Sequence, residues 1–263
     1  GALSSAASDV YKRQYQYSKE SMRSKSELTH KDIKDPSNQT SSGLERDYIT
    51  QWSYGIGETW TLLVPNTKGG ASMPLTMNET AMKKADPQFT PIYQSLGQYW
   101  GEQPGTSGPV YVGAFVLTLF VLGLFIVKGP MKWCLLAATI LSILLSWGKN
   151  FMGFTDFFLD YVPMYDKFRT VASILVVAEF TIPLLAMLAL KELLEKPDLL
   201  PQRMKAVYIS AALTGGVALL FALMPDVFFG NYISTMEQGM FQQAAQAGYI
   251  PQDMIMPILS NLE

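Results

Sequence analysis

The sequence predicts an all-α polytopic membrane protein: about four transmembrane helices, outer-face loops and interfacial helices. Three observations carry this. Only 16% of the 263 residues are charged, against about 25% in soluble domains. The deficit is local, because residues 110–224 are mostly apolar while the first hundred and the last forty are ordinary polar protein. Short loops rich in lysine separate the apolar runs. That long apolar stretch, with a formal net charge of −2 and a mean hydropathy of +0.14, excludes a disordered tail protein, a basic nucleic-acid binder and a simple soluble enzyme. The single cysteine, Cys134, excludes a disulfide framework, and the single histidine, His30, excludes a histidine triad or multi-histidine metal centre within this chain.

A bilayer core of about 30 Å needs about 20 helical residues. Four runs are candidates. Residues 110–127 carry no charge. Residues 133–148 are shorter, with Lys132 and Lys149 placed to snorkel to the two interfaces. Residues 171–190 contain one acid, Glu179, and one proline, Pro183. Residues 206–224 hold a Gly215-Gly216 pair that would let another helix approach closely.

Lysine and arginine in the short loops set the orientation. The turn at 128–132 carries Lys128 and Lys132, and the loop at 191–205 carries Lys191, Lys196, Arg203 and Lys205, so both are expected on the cytoplasmic side. The loop at 149–170 mixes Lys149, Lys167 and Arg169 with Asp156, Asp160 and Asp166, and belongs outside with both ends of the chain. Asp156 and Asp160 are four residues apart and should share one helical face, pairing with the lysines. Four regions result: 1–14, an outer region at 15–109, the membrane region at 110–224, and outer interfacial helices at 225–263. The chain is expected to be a multi-pass membrane protein.

Residues 4–14, SSAASDVYKRQ, match codon for codon the translation of a transposase adapter used to tag DNA libraries. Such a scar is set aside before reasoning about fold. The chain is then expected to be a fragment whose native sequence begins near Tyr15. Farther on, the aromatic stretch holding Trp52, Tyr54 and Trp60 admits two readings. It is a loop packed on the core, or Trp52, Trp60 and the carboxylate of Glu58 form one wall of an outer-face substrate site. No nucleotide-binding glycine loop and no metal-ligand spacing occurs, so no cofactor is evident, and participation of a divalent metal stays open.

Several short elements resemble the YfhO family of bacterial polytopic membrane proteins. Tyr111-Val112-Gly113 opens a helix, Ser146-Trp147-Gly148-Lys149 closes the next, Phe168-Arg169 follows an outer amphipathic stretch, and Leu62-Leu63-Val64-Pro65-Asn66 lies upstream. The resemblance covers about residues 15–225. It implies a GT-C architecture, in which sugars move from polyprenyl-phosphate donors at the outer leaflet. Thr170-Val171-Ala172 stands where the family often has a proline and a second arginine, which leaves a double-arginine phosphate clamp incomplete. GT-C enzymes place their catalytic carboxylate after the first membrane helix, which would precede Tyr15. Whether the chain acts as an enzyme is therefore open at this point.

Glycosyl transfer of this kind needs a general base, cations for the departing phosphate and a groove for the lipid tail. Arg169, helped by Lys149 and Lys167, is the expected phosphate ligand, since arginine binds phosphate in a bidentate way. The partners implied are membrane lipid and a polyprenyl-phosphate-linked sugar, with no nucleic acid. Snorkelling to the interface would account for the same three cations. The rival class is a transporter or channel component using Glu179 as a buried intramembrane ion or proton site. A charge there costs about 2.5–3.5 kcal/mol, so a buried polar pair between helices is the plainer role for it. A non-catalytic membrane scaffold is the third reading.

Overall fold

In the computed structural model, residues 36–40, 43–83, 85–108, 110–229 and 234–246 are described, with short pieces at 12–13 and 16–17. Apart from Lys12 and Arg13, the adapter-like segment lies outside them, as do His30 and residues 247–263. The structure is mostly helical. The principal helices are α1 (Arg46–Thr50), α2 (Ala114–Ile126), α3 (Met131–Ser146), α4 (Met152–Tyr161), α5 (Val176–Glu195), α6 (Met204–Ala211), α7 (Val217–Leu223) and α8 (Thr235–Gln246). The chain divides into two compact units, Gly1–Tyr54 with Leu144–Ile174, and Gly55–Ile143 with Leu175–Glu263.

All four apolar runs are helical, and among the described residues two helices are long and apolar enough to cross a membrane, or three if the bent pair α3 and α4 is one span. The first, Val171–Glu195, joins a 3-10 turn to α5; the second, Met204–Leu223, runs from α6 to α7. The other two runs are shorter. The 13 residues of α2 rise about 20 Å and the 16 of α3 about 24 Å, below the thickness of a bilayer core. Gly148, at φ +43°, ends the third helix, and the chain bends sharply there.

In the second unit, α2 packs closely on α5. The buried face of α5 is Ala178, Thr181, Ile182, Leu185, Ala186 and Ala189, residues three and four apart along one helical face, three of them alanines. Gly123 of α2 sits where a Cβ would meet Leu185 Cγ at 3.0 Å. Lipid tails are as apolar as leucine, so small residues that let backbones approach hold such pairs together. Hydroxyls add specificity. Thr139 Oγ1 lies 2.7 Å from Thr181 Oγ1, and Thr118 Oγ1 lies 2.6 Å from Thr214 Oγ1. Thr214 falls in a π-helical segment, Ala212–Gly216, between α6 and α7. Gly215 and Gly216 are exposed, with open space where their side chains would be, so the close helix approach expected at this pair is not made among the described residues.

A two-stranded antiparallel ribbon, β1 (Gly69–Pro74) with β2 (Gly97–Tyr99), interrupts the all-helical expectation. Gly69 at φ +82° starts it, and its register slips between the pairs Gly69–Tyr99 and Pro74–Gly97. Glycine-rich strands this short carry no alternating hydrophobic signal.

The first unit is built on Leu44, Ile49 and Leu159, with Met152, Tyr165 and Val171 packed around them. Arg46 of α1 donates to Asp156 and, at 3.0 Å, to Asp160 on α4. The two aspartates share one face as their spacing requires, with an arginine from a distant segment as the partner in place of the lysines.

Candidate functional site

In the first unit, residues 48–54 act as a brace for the segments carrying the expected phosphate ligands. Tyr48 accepts a hydrogen bond from Arg169 Nη1 at 2.7 Å, and its ring lies under the guanidinium at 4.9 Å. The carbonyl of Trp52 accepts from the Ala172 N–H at 3.0 Å. Ser53 Oγ accepts from the Lys149 N–H at 2.8 Å, and the Tyr54 carbonyl accepts from Asn150 Nδ2 at 2.9 Å. A Cβ on Gly148 would collide with Ser53 and Val171. Glycine is thus required there for its positive φ and for this close approach.

The side chains of Lys149 and Arg169 are both exposed. Arginine has five N–H donors, and Tyr48 takes one of Arg169's, leaving the rest available to a ligand. Lys167 differs from the exposed cation expected. It is 7% exposed, and its ammonium lies 4.0 Å from Asp166, itself buried. Thr170, next to Arg169, holds φ +69°, a left-handed conformation that a β-branched residue adopts at a cost. Its carbonyl accepts from Ser173 Oγ at 2.7 Å, which caps the turn leading into the long membrane-compatible helix.

In the second unit, Glu58 is 2% exposed rather than standing in a wall. Tyr99 donates its phenolic hydrogen to Glu58 Oε1, which also accepts from the Glu102 N–H at 3.2 Å. Oε2 accepts from the Gly55 N–H at 2.6 Å. Burial raises the Glu58 pKa above its ordinary value, only partly offset by these hydrogen bonds. Burial also raises the Tyr99 pKa, and the neighbouring carboxylate adds to it. Both oxygens are engaged, so the carboxylate ties the Gly57–Leu62 turn to the end of β2 and is not presented to a substrate. The reason is local: Gly101 lies so close that a Cβ there would collide with Glu58 and Tyr99. Trp60 is half-exposed and meets Phe221 edge-on at 5.1 Å. Trp52 belongs to the first unit and is partly buried.

Glu179 corrects a second expectation, for it is exposed and not buried. It lies one residue past Ala178, and a single step of about 100° turns it off the packed face of α5. Among the described residues it makes no hydrogen bond or ion pair, so no polar pair between helices forms there. Among the described residues no three His, Cys, Asp or Glu side chains gather to hold a metal ion.

Sequence reasoning did not find Tyr48 or Tyr99, whose partners lie 121 and 41 residues away and leave no local pattern. Nor did it find a cavity of about 240 Å³ lined chiefly by Ile92, Leu96, Met240 and Phe241, with Glu237 at its edge. Comparison of the chain with protein-family models, curated proteins and solved structures gives no match.

Proposed function

We propose that this chain is part of a multi-pass bacterial plasma-membrane protein that crosses the bilayer four times. In this reading it holds the phosphate of a polyprenyl-linked sugar at the outer leaflet, for glycosyl transfer of the GT-C kind. The two shorter helices cross by local thinning of the bilayer and lysine snorkelling. The observation that supports phosphate binding is the brace at 48–54, which anchors the segments carrying Lys149 and Arg169 and leaves both side chains exposed. Tyr48 orients the guanidinium through one hydrogen bond and its ring face, so less freedom is lost when a phosphate binds. Lys149 adds charge, and the tail lies along the apolar helices. Lys167, paired with Asp166, supports the loop and does not contact the ligand.

Sugar transfer from a polyprenyl-phosphate donor by full-length protein in membranes tests this, comparing wild type with Arg169→Lys, Arg169→Ala and Tyr48→Phe. Arg169→Lys keeps the charge but loses the planar fork. It is expected to impair donor use nearly as much as Arg169→Ala, with Tyr48→Phe intermediate. Equal transfer by all four proteins overturns the phosphate assignment.

A further inference from the structure

The helix α4 shows three faces, set by a rotation of about 100° per residue. Thr155 and Leu159 are buried on the first unit's core. Asp156 and Asp160 form a second, polar face held by Arg46. The third face is aromatic from end to end. Trp147 meets Phe151 at 6.1 Å, Phe151 stacks on Phe154 at 5.5 Å, and Phe154 leans on Phe158 at 5.1 Å. Phe157 then contacts Tyr161 at 5.2 Å. Its outer edge is uncovered, with Phe157 55% exposed and Tyr161 74%, while Trp147, Phe154 and Phe158 behind them are half-buried.

We infer that this aromatic ridge is a bilayer-docking surface that seats the first unit at the headgroup boundary of the outer leaflet. The inference rests on the chain crossing the membrane and not on glycosyl transfer. Sequence continuity supports a lipid occupant. The ridge begins at Trp147, directly after the apolar α3, and the long membrane-compatible helix begins again at Val171. Both ends of the segment are therefore tethered to the bilayer, and the chain turns sharply at Trp147–Gly148, where the ridge starts. Aromatic rings, with the polar tips of Trp and Tyr, suit the depth where one side is apolar and the other wet.

Charge fits as well. Arg46 offsets one of the two charges on the acidic face of the helix, and Lys149 and Arg169 are exposed, cations that suit anionic headgroups. A protein partner would call for no such tether.

The test uses the full-length protein in vesicles of phosphatidylcholine and phosphatidylglycerol, in a Cys134→Ser background. A spin label is placed at Tyr161→Cys on the ridge or at Gly153→Cys, about 80° round the helix on the polar flank, where there is open space. Collision with oxygen against a water-soluble nickel chelate reads depth. The label at 161 is expected about 5–10 Å below the phosphates, the depth of interfacial helices, with the label at 153 shallower and nickel-accessible. Nickel access at 161 equal to that at 153 overturns the inference. A label at 161 immobilised and shielded from both reagents also overturns it, because that reports a covering protein surface or a second copy. Because 161 is exposed and the core is Leu44, Ile49 and Leu159, the substitution leaves folding intact, which unchanged thermal unfolding of the labelled protein verifies.

Discussion

Tyr99 donates its phenolic hydrogen to Glu58, a carboxylate almost sealed from solvent, across 41 residues of chain. The pair joins a 3-10 turn to a strand end and makes the second unit's stability depend on pH. The Glu58 carboxyl has a folded-state pKa above its ordinary value of 4.5. Over the interval between those two values, the folded protein binds more protons than the unfolded one, so stability falls as pH rises. Thermal unfolding of detergent-solubilised protein is expected to shift down across that interval. Glu58→Gln should flatten the dependence, and an unchanged slope in that variant assigns it elsewhere.

The hydroxyls of Thr139 and Thr181 have two hydrogens between them, yet each also reaches its own helix carbonyl, Leu135 at 2.8 Å and Val177 at 2.9 Å. One donates across the helix pair while the other bonds back. Replacing both by valine removes a single shared bond, and a double-mutant cycle should read a coupling of about 0.6 kcal/mol. Unfolding midpoints of the four proteins measure it. Strict additivity means that the 2.7 Å approach is packing alone.

Thr170 keeps φ +69° beside Arg169. Glycine relieves the Cβ clash of that conformation, and Thr170→Gly should stabilise by about 1 kcal/mol despite glycine's greater freedom when unfolded. Chemical denaturation provides the comparison. In the transfer assay, the same variant should weaken donor use if the strained residue aims the arginine.

Cysteine labelling of intact cells, again without Cys134, checks the topology. Ser107→Cys is exposed and expected to react from outside, whereas Lys196→Cys, at the end of the long helix, should react only after permeabilisation. Outside labelling of Lys196→Cys removes the assigned orientation.

The helical runs were legible because hydrophobicity over many residues is a local, additive signal. Two of the four proved long and apolar enough to cross a membrane. The shared face of Asp156 and Asp160 was legible from spacing, but their partner Arg46 was not, since it lies 110 residues away from Asp156. Glu179 was misplaced because an apolar run hides which face packs: α5 is apolar almost all round, so no moment marked the side that meets α2. Glu58 was misplaced for a tertiary reason. A carboxylate in an aromatic loop reads as available until Tyr99 and the Gly55 and Glu102 amides are seen to close over it.

The π segment at Ala212–Gly216 sets an offset for everything after it. Its wider turn places Phe221 under the edge of Trp60 and brings Phe228 to 4.9 Å behind it. The wide turn takes up one residue more than an α-turn would, so removing one from the segment would restore an ordinary α-helix with Phe221 still close to the side that meets Trp60. An extra residue in α7 ahead of Phe221 finds no such slack and would swing that ring by about 100°, and the loop bearing Trp60 would lose its foothold. A deletion and an insertion a few codons apart in one apolar stretch would thus be felt very differently as far away as residue 60.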